Sequence, residues 1–367
     1  MSRSRFVPLA AALRMGFAPR DGAEARETRM RRGWIAGLCL ALGWMGAAEA
    51  GPTLDAVKAR GSVICGVNQG VAGFSAPDSR GEYRGLDADF CRALAAALFG
   101  DPSKVRFVPT SSQNRFTMLQ SGEIDVLARN ATQTLQRDTA LGLNMAGVNF
   151  YDGQGFLVRR ALNVTSARQL DGATICMQPG TTSELNVADY FRANRLRMTP
   201  VLIERPDEFV AAYAAGRCDV MTQDASQLAS YRATALQNPN DHVLLPDRIS
   251  KEPLGPMVRH GDDQWFDVVK WVLTGLVEAE ELGITQANVD EMLRSTNPTV
   301  QRALGVTPGF GRALGLDERW LYNAVKAVGN YGESFERHLG SGSPIGLARG
   351  LNDLWTRGGL MYALPLR

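Results

Sequence analysis

"SGEIDVLARN", residues 121–130, decides how this chain folds, because it returns as "AGRCDVMTQD", residues 215–224. Each copy runs small residue, Gly, two residues, Asp-Val and then polar residues. In the first copy the short apolar run Ile124–Ala128 follows a glycine that ends a helical stretch. Such a run between a helix stop and a polar loop reads as a short buried strand. A second echo precedes the first in both halves. "GSVICGVNQG" (61–70) and "GATICMQPG" (172–180) each place a Cys four residues after a Gly and then open into a polar loop. Two echoes in the same order predict two similar lobes.

The pattern around them agrees. Strands are predicted at 63–68, 105–108 and 124–128, with helices at 86–100 and 114–121; Leu86, Phe90, Leu94 and Leu98 recur at helical spacing. The second half repeats this with strands at 174–178, 200–204, 219–223 and 242–246. Its helices are predicted at 182–193, 206–215 and 225–235. Strands alternating with helices predict parallel sheets, with polar loops gathered at the carboxyl ends of the strands, where ligands bind in open α/β sheets. The chain crosses between lobes twice, at 151–160 and 252–261, which makes a hinge. Lobe 1 is assigned 51–155, lobe 2 156–252, and 253–367 returns to lobe 1. That last part carries helices at 263–281, 286–294 and 316–337 and an irregular tail.

Residues 31–50, "RRGWIAGLCLALGWMGAAEA", have a basic start, a short apolar run and an Ala-x-Ala site, which predicts an export leader (1–50) cleaved after Ala50. That segment holds 8 basic and 4 acidic residues, leaving 32 and 34 in the mature chain. A net charge near zero implies no nucleic-acid surface. The mature chain keeps four cysteines, and export favours disulfides. The echo puts Cys65 and Cys176 on equivalent strands, with one further cysteine per lobe. Bridges Cys65–Cys91 and Cys176–Cys218 are therefore expected.

Chemistry is concentrated in the loops. After the strand at 124–128 come Arg129, Asn130, Thr132 and Arg137, with no carboxylate before Asp138. Arginine offers a carboxylate two parallel N–H bonds that lysine cannot, and a helix N-terminus adds free amides. Arg137 could equally form a solvated pair with Asp138, and Asp224 could cap the helix that follows it. No His pair, Cys/His cluster, phosphate loop or nucleophile elbow is present.

Several segments carry a family resemblance. They are "GLDADFCRALA" (85–95), "LQSGEIDVLARNATQT" (119–134), "YDGQGFLVR" (151–159), "PGTTSELNVADYF" (179–191), "GRCDVMTQD" (216–224), "ISKEPLGPMVRHGDDQWFD" (249–267), "GITQANVDEM" (283–292) and "VGNYGESFERHLGSGSP" (328–344). The chain resembles the polar amino-acid-binding proteins of ABC importers, most closely the general L-amino-acid-binding proteins of Gram-negative bacteria. The resemblance implies an α/β, two-lobed periplasmic-binding-protein fold (type II), each lobe a mixed sheet flanked by helices. It also implies a periplasmic monomer that binds an L-amino acid and docks on an ABC transporter permease, with no cofactor.

Carried over residue by residue, it assigns the ligand α-carboxylate to Arg137 and Thr132, and the cleft loop to Gly180, Thr181 and Thr182. It assigns the ammonium to Asp224, and the side chain to Asn68, Ser112, Arg129 and Gln223, with Asn130 beside them. Phe74 either packs on the ligand or belongs to the core, and Arg129 either meets the ligand or pairs with a protein carboxylate. Asn68 stands where the family often has an aspartate. The enzymatic alternative is a periplasmic cyclohexadienyl/arogenate dehydratase on the same fold, with Glu184 as the nominated acid or base.

Overall fold

The computed structural model describes residues 51–367; the leader reading falls on residues 1–50, outside them. The chain runs α1 (Pro52–Arg60), β1 (Val63–Val67), a β2–β3 pair (Ala76–Pro77, Tyr83–Arg84), α2 (Leu86–Phe99) and β4 (Val105–Pro109). It continues through α3 (Arg115–Ser121), β5 (Val126–Leu127), a π-helical turn at Gln136–Ala140 and β6 (Leu143–Met145). It leaves on β7 (Phe150–Asp152) and forms β8 (Gln154–Arg159), β9 (Ala173–Met177), α4 (Thr182–Ala193) and β10 (Met198–Leu202). Next come α5 (Pro206–Ala214), β11 (Val220–Asp224), α6 (Ala225–Thr234) and β12 (His242–Leu244). It returns on β13 (Glu252–Leu254) into β14 (Met257–Arg259), then α7 (Asp263–Glu281), α8 (Val289–Met292), α9 (Pro298–Ala303), α10 (Phe310–Ala313), α11 (Trp320–Val328) and α12 (Tyr331–His338).

The two lobes have matching sheets. One is ordered β4-β1-β5-β14-β6 and the other β10-β9-β11-β8-β12. In each, the first three strands are parallel and the fourth is antiparallel. The sheets are mixed, as the family resemblance implies, and strand–helix alternation by itself points only to their parallel part. The fourth strand of each sheet follows a crossing, so it enters from the other lobe and runs against its neighbours.

The Asp-Val echo has a physical cause. Asp125 accepts from the Ile64 amide at 2.7 Å and donates its own N–H to Ile64 O; Asp219 does the same with Thr174, at 2.9 Å. Each aspartate pins the start of a strand to the strand beside it. Both disulfides join the expected partners, with Cα separations of 6.3 Å for Cys65–Cys91 and 5.7 Å for Cys176–Cys218. The first ties β1 to α2, and the second ties β9 to the residue preceding Asp219.

A large core lies under lobe 1, where Trp320 of α11 is buried beside Gly275 of α7 and buried Trp265 of α7 donates its indole N–H to Asp125 O at 2.9 Å. The long helix expected at 316–337 is two helices. Gly329 (φ 83°) leaves the helical region, and Asn330 starts a capping box with Glu333, which turns the chain. The helix expected at 286–294 shrinks to the single turn Val289–Met292.

The two crossings lie side by side. β7 and β13 pair antiparallel, with Glu252 opposite Asp152. Residues 131–133 line the outer edge of β13, through Gln133 N to Pro253 O at 3.0 Å and Gly255 N to Ala131 O at 3.2 Å. On the outer edge of β7, the Asn352 side chain takes both main-chain groups of Tyr151, at 2.6 and 3.1 Å. The C-terminal segment thus covers a hinge edge that would otherwise face solvent unpaired.

Candidate functional site

The lobes meet face to face. Ser112 Oγ donates to Pro179 O at 2.8 Å, Arg115 Nη2 to Gly180 O at 3.1 Å, and Asn130 Nδ2 to Gln227 Oε1 at 3.0 Å. Between them is a small polar cavity of about 20 Å³ lined by Arg115, Arg129, Asn130, Thr132, Arg137, Gln178, Thr181, Thr182, Gln223, Asp224 and Gln227. That volume holds about one water, so admitting a larger solute requires the lobes to part. A groove of about 960 Å³ between Tyr83, Arg205, Tyr231 and His242 is far larger, but of the two it is the small cavity that gathers buried groups of opposite charge. Chemistry, not volume, selects the site.

Local structure explains each position. β5 ends at Leu127, and Asn130 turns the chain in the left-handed region (φ 35°), which asparagine tolerates better than most residues. Asp87, at the start of α2, accepts from the Asn130 amide at 2.8 Å and from Asn149 Nδ2 at 2.9 Å. Burial lifts Asp87 to about 6, while Asn149, the Asn130 amide and Arg129 pull it down. Gly85 starts this helix with φ 129°; a Cβ there would lie 2.1 Å from Phe74 O.

Three guanidiniums converge. Arg137 Nη1 donates to Thr132 O at 2.6 Å, and Arg129 Nε to Thr110 O at 3.0 Å. Arg115 and Arg137 both lie over the Phe116 ring, 4.6 and 4.8 Å from its centre. Burial lowers Arg129 and Arg137 to about 10 and pushes Arg115 well below the usual guanidinium range. Arg115 Nε is buried without a partner.

Asp224 faces them from the end of β11. It holds the N-cap position of α6 but makes no side-chain capping bond, and its Oδ1 is buried without a partner. Burial raises it well above the ordinary carboxylate range, helped by Asp152 and Glu252, against Arg137 and Asn130. A buried carboxylate oxygen with no donor is costly unless a cation completes it.

At the start of α4, Thr181 caps the helix by accepting from the Glu184 amide at 3.2 Å. Glu184 turns back to the Gly180 amide at 2.8 Å and does not line the cavity. Gln178 Oε1 accepts from Gln223 Nε2 at 2.6 Å, and Ser183 Oγ donates to Gln223 Oε1 at 2.6 Å.

Of the residues expected from sequence, Arg129, Asn130, Thr132, Arg137, Thr181, Thr182, Gln223 and Asp224 share the cavity. Gly180 and Ser112 instead make the contacts between lobes, and Asn68 stands behind Asn130, donating to its Oδ1 at 3.1 Å. Phe74 packs in the core edge-on to Phe150, 5.3 Å between centres, and does not line the cavity. Sequence reasoning missed Arg115, Gln178 and Gln227. Arg115 had one signal, a charged residue opening a short helix at a strand's carboxyl end.

Two similar lobes, a two-strand hinge and a charged cavity sealed between them define a receptor that closes around a small solute. The chain belongs to the bacterial extracellular solute-binding proteins, family 3, which it matches over residues 63–288. It is 58% identical to the general L-amino acid-binding periplasmic protein AapJ of Rhizobium johnstonii over 322 residues, 87% of this chain and 94% of that protein. It is 56% identical to the glutamate/glutamine/aspartate/asparagine-binding protein BztA of Rhodobacter capsulatus, over 88% of this chain and 95% of that one. A structure of an ABC transporter/periplasmic binding protein from Brucella ovis with glutathione bound superimposes with a TM-score of 0.84 at 55% identity. It covers 86% of this chain and 99% of that one.

Proposed function

We propose that the chain binds L-amino acids of several side-chain types in the periplasm and delivers them to the permease of an ABC importer. The α-carboxylate meets Arg137 and the amides opening α4, and the ammonium meets Asp224. The observation that carries this reading is one buried cavity holding Arg137 opposite an Asp224 whose Oδ1 has no partner. A zwitterion supplies both missing charges at once. The named relatives support the ligand class, since AapJ and BztA are both amino-acid-binding proteins.

The rest of the cavity wall suits breadth. Arg115 and Arg129 favour acidic and amide side chains, while the glutamine amides can donate or accept. On this reading residues 1–50 are the cleaved leader, 156–252 form lobe 2 and end at Glu252, the hinge residue on which that lobe turns, and no chemical step is performed. The chain acts as a monomer.

Titration calorimetry with L-glutamate, L-glutamine, L-leucine, L-arginine and 2-oxoglutarate tests this. Several amino acids should bind, and 2-oxoglutarate, which lacks the ammonium, far more weakly. Tight binding of only one amino acid removes the breadth, and equal binding of 2-oxoglutarate removes the role of Asp224.

A further inference from the structure

Glu252 lies on the returning hinge strand β13, 1% exposed, and does not line the cavity. Its carboxylate nevertheless gathers four donors. Oε2 accepts from Thr132 Oγ1 at 2.5 Å and from Thr182 Oγ1 at 3.0 Å. Oε1 accepts from Asn186 Nδ2 at 2.8 Å and from Ser250 Oγ at 2.5 Å. Thr132 comes from lobe 1, whereas Thr182 and Asn186 come from the first two turns of α4 in lobe 2.

These donors are not equally free. Residues 131–133 are tied along β13 by main-chain bonds, so Thr132 is fixed relative to Glu252. Ser250 is two residues before Glu252 in the chain, just ahead of β13. Thr182 and Asn186 have no such tie to β13, so they are the donors that leave when the lobes part. Charge-assisted bonds are roughly twice as strong as neutral ones, and two of them form only when the cleft shuts.

We propose that Glu252 is a positioning residue that latches the closed state, receiving Thr182 and Asn186 of lobe 2 while Thr132 holds it from lobe 1. Glu252 and Asn186 do not line the cavity, so their bond is made away from the solute. It sets the fraction of molecules in the closed form, and the apparent dissociation constant scales inversely with that fraction. Weakening it therefore weakens every ligand by the same factor. The inference rests on the reading of the chain as a cleft-closing receptor.

Asn186→Asp is the sharpest test, because it sets a second carboxylate against Glu252 at a residue outside the cavity. Losing a hydrogen bond to a charged group corresponds to roughly a 10- to 150-fold change. Stopped-flow fluorescence should show dissociation faster by about that factor for L-glutamate, L-glutamine and L-leucine alike. Association should change little, as is usual within one binding site. Small-angle scattering of the ligand-free chain should show a larger radius of gyration, while the urea midpoint stays put.

Adding Glu252→Gln to Asn186→Asp removes one of the two opposed charges and should restore slow dissociation and the smaller radius. An unchanged dissociation rate, a factor that differs among the three ligands, or a lowered urea midpoint with normal dissociation would each overturn the latch. If no amino acid binds the wild type, the proposed function fails. The scattering comparison of the single and double variants still decides the latch.

Discussion

Asp224 stands where binding and stability pull in opposite directions, and Asp224→Asn separates them. The side chain is buried, its Oδ1 has no donor, and Asp152 and Glu252 add like charge nearby. In the ligand-free chain that charge is a liability. An unsatisfied buried group costs more when it is charged; the amide variant removes the charge and its repulsion with Asp152 and Glu252, so it should be more stable at neutral pH. Binding should change the other way. Removing one partner of a desolvated charge pair costs about 2–5 kcal/mol, or roughly 30- to several-thousand-fold in affinity.

The pH dependence carries the same sign. Because burial raises Asp224 in the folded state, its favourable contribution is complete below the ordinary carboxylate range and is lost as pH rises through the raised value. Wild-type stability should therefore fall over that window relative to the variant. Ligand affinity should rise over the same window as the carboxylate ionises. Urea denaturation and calorimetry between pH 4 and 8 (a range spanning about the usual carboxylate and histidine values) read both. A variant that is less stable without ligand yet binds normally would refute the reasoning, and would return Asp224 to a purely structural place at the head of α6.

Two further outcomes follow from the geometry. Arg137→Ala should weaken all amino-acid ligands by about 2–5 kcal/mol, and Arg137→Lys should recover only part of this, because an ammonium lacks the paired fork; near-normal calorimetric titrations of Arg137→Ala would move the carboxylate elsewhere. Asn352→Ala strips both side-chain bonds from Tyr151 on the hinge strand, so thermal or urea unfolding should show a loss of about 1–3 kcal/mol, and an unchanged midpoint would mean that the C-terminal cover contributes nothing there.

Most of the fold was legible because it is written locally and written twice. The Gly-x-x-Asp-Val echo marks a real structural device, an aspartate that clamps the neighbouring strand, and it appears at Asp125 and Asp219 for the same reason. What escaped was set by distant parts of the chain. The antiparallel β8 and β14 cannot be told from parallel strands by their own residues, since their direction depends on which lobe the chain has just left. The break at Gly329-Asn330 was visible in principle, because an Asn with a Glu three residues later is a helix start. It was masked by apolar periodicity on both sides.

The site divided along the same line. Arg137, Thr132 and Asp224 were legible because they follow strands whose ends had to converge. Arg115 and Glu252 were not, since one opens a short helix and the other sits in a hinge strand, and only folding brings either near the cleft. Asn68 and Phe74, named from sequence, lie outside the cavity. Both follow a strand end in sequence, yet the chain between β1 and α2 turns them toward Asn130 and Phe150, one layer away from the cavity.

If the chain binds amino acids as proposed, the closed cavity accounts for a site that is strict at one end and permissive at the other. Gln178, Gln223 and Gln227 already bond to one another, to Ser183 and to Asn130. A polar ligand side chain replaces one such bond by another of similar worth. An apolar one lets the amides re-pair among themselves, so neither choice leaves a buried group unsatisfied. Asp224 Oδ1 has no such fallback. No protein donor reaches it in the closed form, so once it is ionised a ligand cation relieves its cost. Discrimination is strong where a buried group can be satisfied by the ligand alone, and weak where the protein can satisfy itself. On the proposed function, the α-ammonium is then expected to be compulsory and the side chain negotiable.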